Sequence, residues 1–216
     1  MSVPRIGEIT LSDCFNSTIL PNLPDRVDRV FQQHVSAIHY TDVYNNNEIT
    51  GGIGFMEGTA TLQEIRVFEL KKGDVIITKD SETWKDIAVP AYIPDDLPNV
   101  VCGYHLTLIR TFSTNVDSEY LFWSFMSDPV ADQFRVSSTG VTRLGLSQGA
   151  IKAALFLVPP EIEQREISTF LRKIYSKTEK AIAKSQHEID LIQEYRTRLI
   201  ADVVTGKLDV RRVVVP

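Results

Sequence analysis

LVPPEIEQREISTFLRKI, residues 157–174, contains the junction that decides the architecture of this chain. Two adjacent prolines, Pro159 and Pro160, end an apolar run, and a charged stretch follows at once. Proline cannot continue a strand ladder, but it fits the first turn of a helix, where its missing N–H has no partner to lose. Acidic residues then follow at the end of a helix where partial positive charge favours them: Glu161, Glu163 and Glu166. The sequence therefore predicts that a helix begins at this junction.

Beyond the junction, a heptad-like seam continues for about five repeats, which is the pattern of a helix that pairs with another helix. Its positions recur at steps of three and four: Ile167, Leu171, Ile174, Thr178, Ala181, Ser185, Ile189, Ile192, Arg196, Leu199 and Val203, widened by Ile182 and Tyr195. Thr178, Ser185 and Arg196 are poor apolar knobs, so the helix is not a strong zipper by itself. Gly206, after the last periodic residues, is a C-terminal stop signal.

A helix over residues 160–203 is roughly 65 Å long at ~1.5 Å per residue, which is more than one small domain can cover. Two arrangements remain open. The helix folds back on its own domain, or its seam meets a partner helix. The length of the seam favours the partner helix.

The residues before the junction, 1–157, are predicted to form a mixed α/β domain. The fold class is therefore α+β, a globular domain followed by a long coiled-coil helix within residues 158–216. Strand candidates are rich in β-branched and aromatic residues: VIIT (75–78), YHLTLIRT (104–111) and ALFLV (154–158). Turn chemistry at Lys72-Gly73-Asp74 precedes the first of them.

One helix and two loops complete this prediction. Residues 118–134 space five apolar side chains on a single helical face, with a bend near Pro129: Leu121, Phe122, Phe125, Met126 and Val130. Residues 44–55 and 94–99 are predicted loops.

Charge and composition place the chain among ordinary globular proteins of the cytoplasm. Residues 1–157 carry 12 Lys and Arg against 19 Asp and Glu, net −7, and residues 158–216 carry 11 against 9, net +2. Neither part resembles a protein that grips nucleic acid unaided, because such grip comes from clustered Lys and Arg. No signal peptide or membrane-spanning stretch is evident. Cys14 and Cys102 have no metal-ligand spacing and are expected to be packing groups.

A catalytic signature is hard to find in the sequence. The four histidines are scattered: His34, His39, His105 and His187. GGIG, residues 51–54, lacks the lysine of a phosphate loop. No metal set, cofactor fingerprint or carboxylate pair stands out, so we expect no catalytic residues, no metal and no cofactor in this chain.

Two polar loops are the candidate binding residues. The loop 78–86 carries five polar or aromatic candidates: Lys79, Ser81, Thr83, Trp84 and Lys85. The loop 135–150 carries a second set among glycines: Ser137, Ser138, Thr139, Gly140, Thr142 and Arg143. Hydroxyl, Lys and Arg side chains beside glycine suit phosphate oxygens and base edges. By residue type alone, both loops also fit an ordinary solvated surface.

Three ordered segments resemble the specificity subunits of type I restriction–modification enzymes: FELKKGDVIITKDSETWKDIAV (68–89), SSTGVTRLGLSQGAIKAALFLVPPEIEQREISTFLRKI (137–174) and LIQEYRTRLIADVVTGKLDVR (191–211). The pattern combines a strand opened by Gly-Asp, a loop with a Thr-Gly pair, a Pro-Pro junction and a helix that ends in VTGK. The junction matches at Pro159, Pro160, Glu163, Gln164, Ile167, Phe170 and Leu171, and the ending at Val204, Thr205, Gly206 and Lys207.

The resemblance implies a DNA target-recognition domain joined to a spacer helix, with no activity of its own. A separate modification subunit would bind S-adenosylmethionine, flip the target base and methylate adenine. A restriction subunit is a possible further partner. The two loops would then contact double-stranded DNA.

One departure from the family is length. Its subunits carry two recognition domains and two helices that pair antiparallel, whereas this chain has one of each and looks like a half-subunit. The resemblance then implies an antiparallel homodimer that reads an interrupted palindrome. Its interface would comprise Ile167, Leu171, Ile174, Thr178, Ile182, Ser185, Ile189, Ile192 and Leu199. Two alternatives remain: a coiled-coil adaptor without a DNA role, and a hydrolytic enzyme.

Overall fold

The protein, in a computed structural model, is described over residues 7–10, 15–19, 32–111 and 115–211. It forms two compact units, residues 1–168 and residues 169–216. A mixed α/β domain comes first and a long C-terminal helix follows, so the predicted fold class is confirmed. The first unit extends past residue 157, the predicted domain end, and includes the beginning of the long helix.

Short strands and helices make up the first unit, and one long helix continues from it into the second. The strands are β1 (Gly7–Thr10), β2 (Phe15–Ile19), β3 (Gln32–Ile38), β4 (Met56–Thr61), β5 (Glu69–Leu70), β6 (Val75–Thr78), β7 (Asp80–Ser81), β8 (Pro90–Tyr92), β9 (Leu97–Cys102), β10 (Leu106–Thr111), β11 (Leu144–Gly145) and β12 (Leu155–Val158). The helices are α1 (Tyr40–Asn45), α2 (Leu62–Phe68), α3 (Ser118–Phe125), α4 (Asp128–Ser137), α5 (Gln148–Lys152) and α6 (Glu161–Val204), with a 3-10 turn at Trp84–Asp86.

Two four-stranded sheets form the body of this unit. One is antiparallel in the order β2-β10-β6-β8, and the other, β4-β3-β9-β5, is mixed because β3 and β9 run parallel. Alternate residues of β6 enter two different cores: Ile76 lies in one, and Val75 and Ile77 lie in the other. A strand buried on both faces has no polar face, which explains the uninterrupted apolar run Val75–Ile77. The predicted strands at 75–78, 104–111 and 154–158 are confirmed as β6, β10 and β12, except that Tyr104, His105 and Ala154 precede the strands to which they were assigned.

The predicted helix over 118–134 is two helices. Helix α3 ends at Phe125 and α4 begins at Asp128, and Ser127 between them has an extended backbone. Pro129 lies in the first turn of α4, where its missing N–H costs nothing, whereas inside one continuous helix it would remove a hydrogen bond and clash with the preceding turn. Met126, predicted on the buried face, falls at this break and is exposed. The other four predicted face residues are buried.

The loop predicted over 94–99 is partly a strand, because β9 begins at Leu97. The pairing of β9 with β5 is irregular at this point, and Asn99 has a positive φ of 61°. The Asn99 N–H donates to the Glu69 carboxylate at 2.9 Å instead of to a ladder partner. Such a bulge accommodates Pro98 and Asn99, two residue types that regular strands exclude, so composition alone pointed to a loop.

A buried ion pair fixes the turn before β6. Asp74 is 1% exposed, and Arg110 of β10 donates to both of its carboxylate oxygens, at 2.7 and 2.6 Å. The Lys71 N–H donates to the same carboxylate at 2.7 Å. The hydrogen bond to Asp74 raises the pKa of Arg110, so the guanidinium stays charged. Gly73 of the predicted turn has φ 88°, a conformation that glycine adopts without strain.

Gln164 holds the N-terminal turn of α6 to the first unit. This side chain is fully buried. Its Oε1 accepts from the Asp117 N–H at 2.8 Å, and its Nε2 donates to the carbonyls of Asn115 at 2.9 Å and Pro159 at 2.7 Å. Ser168, one turn later, is also buried and donates to the Gln164 carbonyl. Gln164 therefore has a structural role, since its side chain forms hydrogen bonds with backbone groups that are buried where the helix begins.

Helix α6 runs from Glu161 to Val204, within one residue of its predicted bounds at each end. Gly206 has φ 73°, which confirms the predicted stop, and its N–H donates to the Val203 carbonyl. Seven apolar residues of the predicted seam and its flank are exposed on the second unit: Ile174, Ile182, Ile189, Ile192, Tyr195, Leu199 and Ile200. Ile167 and Leu171 are half-buried.

Several absences hold for the described ranges of the chain. None of the helices there has both the length and the apolar character needed to cross a membrane. No group of three or more His, Cys, Asp or Glu side chains in those ranges could hold a metal ion. Cys102 is free and buried, and burial, followed by the charge of Asp74, raises the pKa of its thiol. Cys14 lies outside the described residues.

Candidate nucleic-acid interface

The two loops singled out in the sequence are joined by a short sheet. Strand β7 continues almost directly from β6 and pairs antiparallel with β11, so that Leu144 lies opposite Ser81 and Gly145 opposite Asp80. The Leu146 N–H donates to the Lys79 carbonyl at 2.9 Å and extends this pairing by one residue. Residues about sixty positions apart in the chain therefore form one continuous surface. Its strand β7 follows β6, which is buried on both faces.

The segment 139–145 closes on itself as a tight loop. Thr139 and Gly145 exchange two backbone hydrogen bonds, at 3.0 and 2.9 Å. Gly140 has φ 144°, and a Cβ at this position would lie 1.9 Å from the Arg143 carbonyl oxygen. Only glycine fits such a close backbone approach. The Thr-Gly pair therefore sets the loop conformation, and the loop in turn presents Thr142 and Arg143 to solvent.

Arg143 is held by a carboxylate from the other loop. Its Nε donates to Asp80 Oδ1 at 2.8 Å, and its Nη2 lies 2.7 Å from the same oxygen. His105 Nδ1 lies 2.7 Å from Oδ1 and 2.9 Å from Oδ2 of Asp80. A carboxylate only accepts hydrogen bonds, so Nδ1 carries the hydrogen, and its 3.3 Å approach to Arg143 Nη2 is a contact and not a second hydrogen bond.

His105 owes its position to an unusual backbone conformation. Its φ is 71°, in the left-handed region that is uncommon outside glycine, and its carbonyl accepts from the Lys79 N–H at 2.8 Å. In the resulting turn, the centroid of the Tyr104 ring lies 3.7 Å from the centroid of the imidazole. The same Tyr104 centroid lies 5.3 Å from Lys79 Nζ. Tyr104 is exposed. Sequence reasoning placed His105 in a strand and gave neither residue a binding role.

A second exposed ring stands at the 3-10 turn. Trp84 is 51% exposed, with Lys85 Nζ and the Arg135 guanidinium carbon each 5.7 Å from its ring. Arg135, at the end of α4, also donates to Asp132 at 2.8 Å, and this hydrogen bond raises its pKa. Cations over an aromatic face are attracted by the ring quadrupole. Arg135 was not predicted as a site residue, although its place in the loop 135–150 could have suggested it.

The remaining predicted residues divide between support and surface. Ser81 is buried and its hydroxyl accepts from the Thr83 N–H at 3.3 Å, so it does not belong to the exposed surface. Thr83 caps the 3-10 turn by accepting from the Lys85 N–H. The Ser138 hydroxyl donates to the Arg135 carbonyl at 2.8 Å. The exposed members of the predicted set are Trp84, Lys85, Ser137, Thr139, Gly140, Thr142 and Arg143, while Lys79, Thr83 and Ser138 are partly exposed.

The two arginines of this surface are paired with carboxylates. Arg143 faces Asp80, and Arg135 faces Asp132 and Asp128, whereas Lys79 and Lys85 lie over aromatic rings. Hydrogen-bond donors, hydroxyls and two exposed aromatic rings remain available. Such a surface suits the recognition of base edges and local groove shape more than general attraction to phosphate, which needs uncompensated cations.

Comparison with known proteins gives the fold a precedent. No protein-family model matches the chain, and none of the curated proteins does. Solved structures do match: the fold is that of about one half of a type I restriction–modification specificity subunit. The HsdS subunit from Thermoanaerobacter tengcongensis matches with a TM-score of 0.57 and 16% identity, over 98% of this chain and 51% of that one.

Two further solved structures agree. The S subunit of a type I restriction–modification system from M. genitalium matches with a TM-score of 0.54 and 13% identity, over 92% of this chain and 46% of that one. A solved structure that concerns complex assembly and conformational transition of the type I restriction–modification system contains a chain that matches with a TM-score of 0.62 and 12% identity. The match covers 94% of this chain and 46% of that one. The protein thus spans about half the length of the structures it resembles.

Proposed function

We propose that this chain is the DNA-sequence-reading half-subunit of a type I-like restriction–modification methyltransferase, and that it has no catalytic activity of its own. The observation that carries the proposal is the extent of the structural match, which takes in 92–98% of the chain, including both the α/β domain and the long helix. A module that shared only a coiled coil or only a sheet would not match over both elements. The junction motif around Gln164 supports the same assignment independently.

The surface formed by the two loops is the proposed DNA-contacting region. It adjoins the buried strand β6, and its loop 139–145 contains a close backbone approach at Gly140 that only glycine fits. Sites that must distinguish bases need side chains held in place, because small displacements lose hydrogen-bond geometry. Exposed donors on a fixed loop meet that requirement, and the adaptor alternative gives no reason for them.

The exposed seam of α6 supports the proposal of an antiparallel homodimer. An apolar stripe of this length in water marks a partner surface. A second copy of the chain would bury it in an isologous two-fold interface, with the axis near Thr178, Ile182 and Ser185. The two recognition domains would then read identical inverted half-sites, that is, an interrupted palindrome with half-site centres about one helical turn of DNA apart or a little more.

The remaining partners belong to the same proposal. A modification subunit would dock on the dimer, carry S-adenosylmethionine and methylate adenine, and a restriction subunit could join the assembly. The complex would work in the cytoplasm. The modification subunits would supply the electrostatic affinity for DNA phosphates that this acidic chain lacks.

Affinity purification of the tagged chain from its source cells tests the assignment. We expect an S-adenosylmethionine-dependent methyltransferase to co-purify, and deletion of the chain's coding sequence to erase one class of methylated adenines from the genome. Those adenines should lie in an interrupted palindrome. Unchanged methylation after deletion, with no methyltransferase in the purified material, would overturn the proposal.

The dimer is tested by charge on the seam. Changing Ile189 and Ile192 together to Asp should convert the dimer to a monomer at micromolar concentration, measured by light scattering during size-exclusion chromatography. In the antiparallel arrangement the two carboxylates of each chain would be buried against apolar residues of the other chain, near Leu171 and Ile174. Leu191→Asp is the matched control, since this exposed residue lies about 100° around the helix from Ile192. A wild-type monomer, alone and with its methyltransferase, would refute the interface.

A further inference from the structure

We infer that Arg143 is a base-reading residue that recognises guanine in the major groove, and that Asp80 and His105 are the residues that position it. The inference rests on the proposed function and goes one step beyond it, because it assigns a named base to a named side chain. The observation behind it is the way in which the Arg143 guanidinium is held: one edge faces a carboxylate inside the protein, and the other edge faces outward.

The geometry separates the two edges of the guanidinium. Nε of Arg143 donates to Asp80 Oδ1 at 2.8 Å, and Nη2 lies 2.7 Å from the same oxygen and 3.3 Å from His105 Nδ1. Oδ1 and Nδ1 are themselves 2.7 Å apart, so Nη2 approaches both on one side, and Nη1 makes no hydrogen bond or ion pair to any described residue. The side chain is 46% exposed, whereas the side chain of Asp80 is 14% exposed. Arg143 therefore presents two parallel donors to solvent from a fixed support.

Two parallel donors match guanine better than the other bases. In the major groove, guanine offers O6 and N7 as adjacent acceptors, and a bidentate arginine is the commonest contact to them. Adenine offers an acceptor beside a donor, and cytosine and thymine offer one polar group each. An arginine fixed in orientation therefore discriminates in favour of guanine, while a freely rotating one would settle on any acceptor.

The Asp80 carboxylate favours a base over a phosphate as the partner. It sits against the guanidinium and cancels most of its long-range positive charge, which is the property that phosphate binding uses. It also repels a phosphate that approaches the same side chain. A guanine edge carries no net charge, so it gains the two hydrogen bonds without that repulsion.

His105 holds the carboxylate in turn. Its Nδ1–H donates to Asp80, and its own position is fixed by the turn at φ 71° and by the hydrogen bond from the Lys79 N–H to its carbonyl. Asp80 also lies opposite Gly145 in the β7–β11 pair, so its backbone is fixed as well. Both positioning residues therefore lie outside the loop 139–145 that carries Arg143, Asp80 in β7 and His105 in the turn before β10.

The test uses the full chain with the methyltransferase that co-purifies with it, and a pool of double-stranded DNA with a randomised central segment. Bound duplexes are selected and sequenced for the wild type and for each variant. We expect a guanine in each wild-type half-site whose preference falls roughly 5- to 150-fold in Arg143→Ala, the discrimination expected of one bidentate base contact. Preference at the other positions should stay as it was.

Arg143→Lys is the second variant at this position, because it retains the charge but not the fork. It should lose part of the guanine preference while leaving the salt dependence of binding unchanged, because an ammonium can bond guanine O6 or N7 but lacks the planar fork that Asp80 orients. Arg211→Ala is the matched control: Arg211 forms another Arg–Asp pair, with Asp209, in the C-terminal tail. This control should select the wild-type sequence.

Asp80→Asn separates positioning from general structure. Removing a negative charge near DNA should leave affinity for non-selected duplexes equal or higher, while guanine preference falls because the arginine is no longer fixed. A merely structural carboxylate would give lower affinity for every sequence, and this result would overturn the positioning role.

Three outcomes are decisive for Arg143. Equal weakening of all sequences by Arg143→Ala, with a salt slope lower by about one, would identify a phosphate contact and refute the inference. If the wild-type complex selects a motif in which no guanine preference depends on Arg143, the guanine assignment is refuted, while the proposed function stands. Selection of no motif at all by the wild-type complex would instead overturn the proposed function.

Discussion

Replacement of Gln164 by Leu should destabilise the α/β domain strongly, although the residue lies in a charged helix and the volume hardly changes. Gln164 makes three hydrogen bonds to backbone groups of Asn115, Asp117 and Pro159, all at 2.9 Å or less. At about 1 kcal/mol for each bond, the expected loss is about 3 kcal/mol. That is a large part of the stability of a typical domain.

The assay is urea unfolding followed by tryptophan fluorescence at one fixed protein concentration, since a dimer makes stability depend on concentration. Both tryptophans, Trp84 and Trp123, precede the junction and report on the α/β domain. We expect a lower midpoint with an unchanged slope, which indicates a change in stability and not in the surface exposed on unfolding. Gln193→Leu, at an exposed position of the same helix, is the control and should change stability by less than about 0.5 kcal/mol.

A carboxylate at the same position sharpens the test. In Gln164→Glu, burial beside the carbonyl oxygens of Asn115 and Pro159 would raise the pKa of the introduced carboxyl in the folded state. The extra destabilisation is therefore complete at neutral pH, decreases as the pH falls through that raised pKa, and is absent below the ordinary pKa of glutamate. If Gln164→Leu matched the wild type within the error of the control, the role assigned to the Gln164 hydrogen bonds would be wrong.

Two further predictions concern residues fixed by charge or conformation. Asp74→Asn should lower the free energy of unfolding by about 3 kcal/mol in the same assay. This value is at the low end for a broken buried ion pair, because Arg110 is only partly buried. The control Asp209→Asn, in a fully exposed pair, should leave the free energy of unfolding nearly unchanged. Comparable losses in both variants would contradict the account. Gly140→Ala should distort its loop and reduce sequence preference in the selection of DNA duplexes. Alanine is excluded because φ is 144° and a backbone oxygen would lie 1.9 Å from the new Cβ. The control Gly54→Ala, with open space around it, should have neither effect. Normal selection by Gly140→Ala would show that the loop tolerates another conformation.

Elements that depend on local pattern could be predicted from the sequence. The bounds of α6 follow from proline before it, glycine after it and a regular seam between them. Strand β6 follows from four consecutive β-branched residues after a Gly-Asp turn. The break between α3 and α4 was predicted only as a bend, because the periodicity of apolar residues continues across it and only Pro129 marks the change.

The partners of the site residues could not be predicted, for a physical reason. Arg143 and Asp80 are 63 positions apart and Arg143 and His105 are 38 apart, so their meeting depends on the order of strands in the sheet and not on any local pattern. The left-handed backbone at His105 is equally hidden, because no glycine marks it. Residue type identified Arg143 as a candidate, and tertiary structure alone supplied its orientation.

Gln164 shows the opposite failure, a motif residue whose role the motif does not reveal. It stands between exposed charged neighbours, Glu163 and Arg165, where a helical pattern predicts solvent. Its burial follows from backbone groups at Asn115 and Asp117 that need partners at the place where the helix leaves the domain. Polar burial of this kind is dictated by unsatisfied backbone groups, which a sequence does not display.

The acidic balance of the chain, net −5, is compatible with a reader of DNA sequence once the arrangement of its cations is considered. Uncompensated Lys and Arg would increase affinity for every sequence alike and would reduce the ratio between specific and non-specific binding. On this surface, Arg143 and Arg135 are each held by carboxylates of neighbouring elements, so their geometry is fixed while their attraction to phosphate is weak. Such a module would discriminate well and bind weakly by itself. Under the proposed function it would therefore need partners that supply affinity, and the exposed seam of α6 offers the surface on which one of them, a second copy of the chain, would assemble.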